Sequence, residues 1–122
     1  MNQNDFKERA KVFALRVIKM VDALPNKRSA DVMGKQLLRS ATSVASNYRA
    51  ACRGRSTAEF IAKLGIVEEE ADESQGWIEM IADAGLLKRK QVESLIQEAN
   101  EITAMTVASI KTARSNSKGP KR

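Results

Sequence analysis

The chain has 122 residues, enough for one core and too few for two, and its apolar share of 43% argues against wholesale disorder. It carries a net charge of +6, one cysteine (Cys52) and no histidine, so a disulfide cannot form within the chain and the commonest general base and metal ligand is missing. There is no GxGxxG, GxxxxGK[ST] or GxSxG, no apolar leader in "MNQNDFKERAK" and no apolar run of about 18 residues; these features predict a cytoplasmic protein without catalysis, metal, other cofactor or membrane insertion.

The first predicted helix runs from about Asp5 to Leu24. Phe6, Ala10, Phe13, Val17, Met20 and Leu24 recur at spacings of four and three and form one apolar stripe. Asn4 or Asp5 can cap its start, and Pro25 stops it. The second helix spans about Ser29 to Arg53, with Met33, Leu37, Ala41, Val44, Tyr48 and Cys52 on one side. "RGRS" breaks it, Gly54 suits the C-cap, and Ser56 with Glu59 three residues on fits a capping box for the third helix.

The third helix has the clearest period. Phe60, Leu64, Val67, Ala71, Ser74, Ile78 and Ile81 alternate spacings of four and three until Gly85. Phe60 is expected in the core. The fourth helix, about Lys90 to Ala113, carries Val92, Leu95, Ile96, Ala99, Ile102, Val107 and Ile110. No strand-like alternation competes. Four long helices joined by short turns predict an all-α, antiparallel up-down-up-down four-helix bundle over residues 1–114, followed by a mobile basic tail over residues 115–122. Apolar faces wider than one seam needs, including Leu38, Ile96 and Val107, predict self-association.

Charge is unevenly spread. Residues 27–58 hold seven cations against Asp31, whereas residues 59–83 hold eight acids against Lys63. On a wheel of the second helix, Lys35, Arg39, Arg49 and Arg53 share an arc of about 80° with Thr42 and Ser46, opposite the apolar side and some 27 Å long. Cations supply charge for phosphates, and short hydroxyls supply hydrogen bonds. With Arg55 and the tail they form a candidate nucleic-acid-binding surface. A basic face opposite an apolar stripe is also the ordinary solvated side of a helix, and it could equally face the acidic third helix. Trp77 and Tyr48, beside and within apolar stripes, read as core or interface side chains rather than base-stacking platforms, and Cys52 as a small buried apolar residue. The apolar face of the second helix is rich in Ala and lacks the Trp and Phe of membrane-surface helices.

The segment "RSATSVASNYRAACRGRSTAEFIAKLGIVEEEADESQGWIEMI" closely resembles the four-helix-bundle proteins of the 23S rRNA intervening-sequence family. Asn47, Arg53, Arg55, Ser56, Glu59, Phe60, Leu64, Ile66, Glu70, Ala71, Glu73 and Trp77 match the family's ordered pattern, and helix lengths and phases agree over nearly residues 5–113. Many members have Pro-Ala-Asn or Gly-Ala-Asn where Ala45-Ser46-Asn47 stands, and an acidic residue where Ala50 stands. The resemblance implies a bacterial protein that assembles as a ring-shaped homopentamer. It also implies a distant relation to the accessory variability protein of diversity-generating retroelements, which works with a reverse transcriptase and RNA.

The residues and the resemblance together give a non-enzymatic oligomer whose second helix and tail bind RNA or other nucleic acid. The rival reading is a protein-interaction scaffold in which the charged faces serve assembly or a protein partner such as a reverse transcriptase. Asn47 is expected to bond between helices, Ser56 to act as an N-cap, and Glu70 and Glu73 to orient Arg or Lys partners across the bundle.

Overall fold

The computed structural model describes residues 1–117. Four α-helices, and among the described residues no strand, make up the fold: α1 (Gln3–Asp22), α2 (Arg28–Cys52), α3 (Thr57–Asp83) and α4 (Arg89–Ser117). Each matches a predicted segment within a few residues. The ends differ where local hydrogen bonds decide them. Asn2 caps α1: its Oδ1 accepts from the backbone N–H of Asp5 at 2.9 Å, and Asp5 reaches back to the Asn2 N–H. The helix therefore starts ahead of Asn4 and Asp5. At the other end α4 continues through Ser117, past the expected bundle limit at residue 114. The tail cations Lys118, Lys121 and Arg122 lie outside the described residues.

The connections follow from backbone chemistry. Ser56 Oγ accepts from Glu59 N–H at 3.1 Å, as a capping box requires, but the Glu59 carboxylate accepts from the Arg55 N–H, one residue beyond the expected partner. Gly54 does not adopt a left-handed conformation; Arg53 is the C-cap of α2. A Cβ at Gly54 would lie 3.1 Å from Ala51 O and 3.3 Å from Phe60 N, so close approach is what that position asks of the sequence. Gly85 is the left-handed residue, at φ +76°. Leu86 N–H bonds to Ile81 O and Gly85 N–H to Ala82 O, the paired hydrogen bonds of a Schellman motif, and Leu86 is buried beside them.

α1 packs on α2, α2 on α3, α3 on α4, and α4 meets α1. The apolar stripes face one another and enclose a core in which Phe13, Val17, Leu37, Val44, Leu64, Val67, Ile78, Ile81 and Ile102 are fully shielded. Tyr48 is buried in it and stacks on Phe6, ring centroids 4.0 Å apart. Burial pushes the Tyr48 phenol well above its usual range, and contact with Cys52 adds to this. Ile96 also belongs to the core, whereas Val107 is 45% exposed. Phe60 and Cys52 are half-buried at the core's edge, a departure from the full burial their helical phase predicts. Both flank the α2–α3 connection, where the helices end and there is no further turn to cover them.

Polar contacts fix how the stripes meet. Ser40 and Ser74, both buried, share a 2.8 Å hydrogen bond between α2 and α3, and Ser74 donates on to Glu70 O. Arg9 of α1 grips Glu98 of α4 through two hydrogen bonds, 2.7 and 2.9 Å, and also pairs with Glu101; Arg16 donates to Ser94 at 2.8 Å. The hydrogen bonds to Glu98 lead in holding the Arg9 guanidinium above its usual range. Nothing in the period of either helix announced these α1–α4 pairs.

Candidate nucleic-acid interface

All five candidate cations are exposed: Lys35, Arg39, Arg49 and the C-cap Arg53 because the apolar half of α2 turns the opposite half outward, and Arg55 because it lies in the α2–α3 connection. They do not form one equivalent row. Arg39 leans across to α3, where Nη1 meets the Glu70 carboxylate at 3.2 Å and Nη2 pairs with Glu73. The hydrogen bond to Glu73 leads in raising its pKa. Glu73 in turn accepts from Trp77 Nε1 at 3.0 Å, and the Trp77 bond, together with Arg39, holds its carboxyl below the usual range. Glu70 and Glu73 thus orient an arginine across the bundle, as their pattern suggested. A wheel fixes only the direction in which a side chain leaves the helix; a long arginine can bend sideways to the acidic face beside it.

Lys35 pairs with Asp31 one turn away at 3.4 Å, both side chains largely exposed, an arrangement worth about 0.3–0.5 kcal/mol. The two exposed hydroxyls of the arc bond to their own helix: Thr42 Oγ1 donates to Leu38 O at 2.6 Å and Ser46 Oγ to Ser43 O at 3.3 Å. Their protons serve their own helix, and their oxygens stay as acceptors. Asn47 does the same. Its Nδ2 donates to Ser43 O at 3.0 Å and Ser43 Oγ at 2.8 Å, so it braces α2 internally and does not bridge helices.

Arg49, Arg53 and Arg55 remain without an acidic partner among the described residues, gathered where α2 runs into α3. Beside them opens a cleft of about 920 Å³, between the start of α1, the α2–α3 connection and the last turns of α4. Arg55, Phe60, Tyr48 and Cys52 contribute to its lining. Periodicity gave no sign of this cleft. Its one trace in the sequence is the run of small side chains Ala108, Ser109, Thr112 and Ala113 near the end of α4, which line the same cleft as Phe60.

No helix among the described residues is long and apolar enough to cross a membrane. The chain matches the family described as 23S rRNA-intervening sequence protein over residues 2–108. Its fold is similar to the crystal structure of a protein of unknown function from the S23 ribosomal protein family of Bacteroides thetaiotaomicron, at a TM-score of 0.84 and 36% identity; the match covers 91% of this chain and 99% of that one. Among curated proteins none matches. The family match and the structural likeness, each spanning most of the chain, agree with the ordered residues from Asn47 to Trp77: the chain belongs to the 23S rRNA-intervening sequence protein family.

Proposed function

We propose that this protein is a non-enzymatic, cytoplasmic RNA-binding oligomer that holds single-stranded RNA by its phosphates. The observation that carries the proposal is the cluster Arg49, Arg53 and Arg55, three exposed arginines whose guanidinium groups have no acidic partner among the described residues, at the end of a helix whose Lys35 and Arg39 are already paired. An unpaired guanidinium gives up only water when it meets a phosphate; Arg39 would also have to leave two carboxylates. The phosphate-binding part is accordingly the C-terminal end of α2 and the connection after it, with Lys35 secondary and Arg39 structural. The family's description, which refers to rRNA, is in keeping with this reading.

The helices run up, down, up and down in this proposal. In support, Arg9 meets Glu98 and Glu101 whereas Arg16, later in α1, meets Ser94, earlier in α4. Copies assemble into a ring, five being the number the resemblance implies, and each copy repeats the arginine cluster so that weak contacts add.

A salt titration of RNA affinity tests the reading. The triple change Arg49→Gln, Arg53→Gln, Arg55→Gln should weaken binding and lower the slope of log affinity against log salt by roughly 2, about 0.7 for each phosphate that is no longer neutralised. The pair Lys35→Gln, Arg39→Gln should lower it by less. A triple variant that binds like the parent would show that the charge serves assembly or a protein partner instead, the scaffold reading that the Arg39 pairs with α3 favour.

A further inference from the structure

We propose that the cleft at the α2–α3 end of the bundle receives one unstacked nucleotide of a bound single-stranded RNA, its base against Phe60 and its phosphate at Arg55. This rests on the RNA-binding reading and adds a base-binding site to it.

Three features of the cleft point the same way. The first is charge: among the described residues whose side chains line it, Arg55 alone is charged, and none is acidic. In a chain with 15 acidic residues, an acid-free lining beside unpaired arginines favours an anion. The second is the apolar wall. Phe60 lines the cleft and is only half-buried, while Phe6 and Tyr48, which also line it, are stacked on each other and buried, at 4% and 2% exposed, so Phe60 is the ring left to meet a ligand. A partly exposed aromatic ring can stack a base of any sequence. The third is the set of neutral polar groups, Gln3, Thr57, Thr112 and Asn116, which offer donors and acceptors to a base edge.

Size and position agree. A volume of about 920 Å³ lies within the range of small-ligand sites, and it admits a nucleotide with its backbone neighbours still outside. Arg53 and Arg49 follow on the adjoining turns of α2, where they can take the next phosphates along the strand. Other ligand classes match less of the lining. An acidic peptide would use Arg55 and leave the aromatic wall idle, and an acyl chain would bury the amides and hydroxyls unpaired. A nucleotide uses the aromatic wall, the polar groups and the cation together.

The test is a short single-stranded RNA carrying one 2-aminopurine, titrated against the intact chain and three variants. Phe60→Leu removes the ring and keeps apolar bulk. Ala108→Leu, at an exposed position, fills the cleft without touching the core. Arg49→Gln with Arg53→Gln lies outside the lining. Binding to the parent should quench the 2-aminopurine. The first two variants should lose the quenching and bind about tenfold more weakly with an unchanged salt slope, as loss of one stacked base requires. The arginine variant should lower the slope and keep the quenching of the RNA that still binds. If Phe60→Leu and Ala108→Leu, folded by circular dichroism, bind and quench like the parent, the cleft is not a base site and the RNA-binding reading stands. If the parent binds no RNA, both readings fall. If Phe60→Leu fails to fold, Ala108→Leu decides alone.

Discussion

Glu73 shows how one side chain can serve two neighbours. It accepts from Trp77 on its own helix and from Arg39 on α2, and both bonds favour its charged form. A carboxyl held below its unfolded value stabilises the fold above that value, about 4.3, and loses the contribution as pH falls through the lower, folded one. Acid titration of stability should therefore be less steep below about pH 4.5 in Glu73→Gln than in the parent, a difference measurable by denaturant melts across pH. Tyr48 works at the other end of the scale. Its raised pKa means that folding favours the protonated phenol, so stability is full below about pH 10 and falls as pH rises beyond it. Tyr48→Phe should remove that alkaline loss; an unchanged loss would place its cause elsewhere. Ser40 and Ser74 are coupled by burial. Each single change to Ala should cost about 0.5–1.5 kcal/mol, because the remaining hydroxyl keeps only a carbonyl of its own helix, and the double change should cost less than the two singles added.

At the scale of elements, α2 and α3 carry opposite charge and lie side by side. Arg39 makes use of that contrast, and Arg49, Arg53 and Arg55 lie beyond its reach because α3 begins at Thr57 with a single acid, Glu59, in its first turn. The third helix is weakened at Gly76, exposed in its interior with open space where a Cβ would sit. Gly76→Ala should raise stability by roughly 0.5–1 kcal/mol, the helix propensity difference. A stabilised monomer with a broken oligomer would instead reveal that a second copy approaches the backbone there, a distinction that melting and light scattering make together.

For the whole molecule, the exposed apolar side chains offer a surface to a second copy. Val12, Leu15 and Ile18 lie along the outer side of α1, and Val32, Met80 and Val107 on the other three helices, each between 36% and 54% exposed. Leu15, at 53%, faces outward among Lys11, Arg16 and Lys19. Self-association through this side of α1 predicts that Leu15→Glu shifts the mass in light scattering down toward the 13.5 kDa of one chain without loss of helix. A parent already at that mass would rule self-association out at the concentration tested.

The sequence by itself determined the four helices, most of their core faces and the family. The reason is physical: a helix that must bury one stripe repeats apolar residues at spacings of three and four, and Pro25, Ser56 and Gly85 punctuate the chain by local bonds alone. It also placed Lys35, Arg39, Arg49 and Arg53 on the outer side, since the side opposite an apolar stripe has nowhere else to go. Only the tertiary structure decided which of them are available. Arg39 is claimed by Glu70 and Glu73, residues more than thirty positions away, and no periodicity within one helix encodes which acid a neighbouring helix will present. The same limit hid the cleft. Its walls come from α1, α2, α3 and α4 at once, and Phe60, apolar and in phase, looks like any core residue until the small side chains of α4 are seen to line the same cleft. Periodicity reports what one helix turns inward; what meets it there depends on how the helix ends pack, and an end with no further turn to close it leaves a ring half open to solvent.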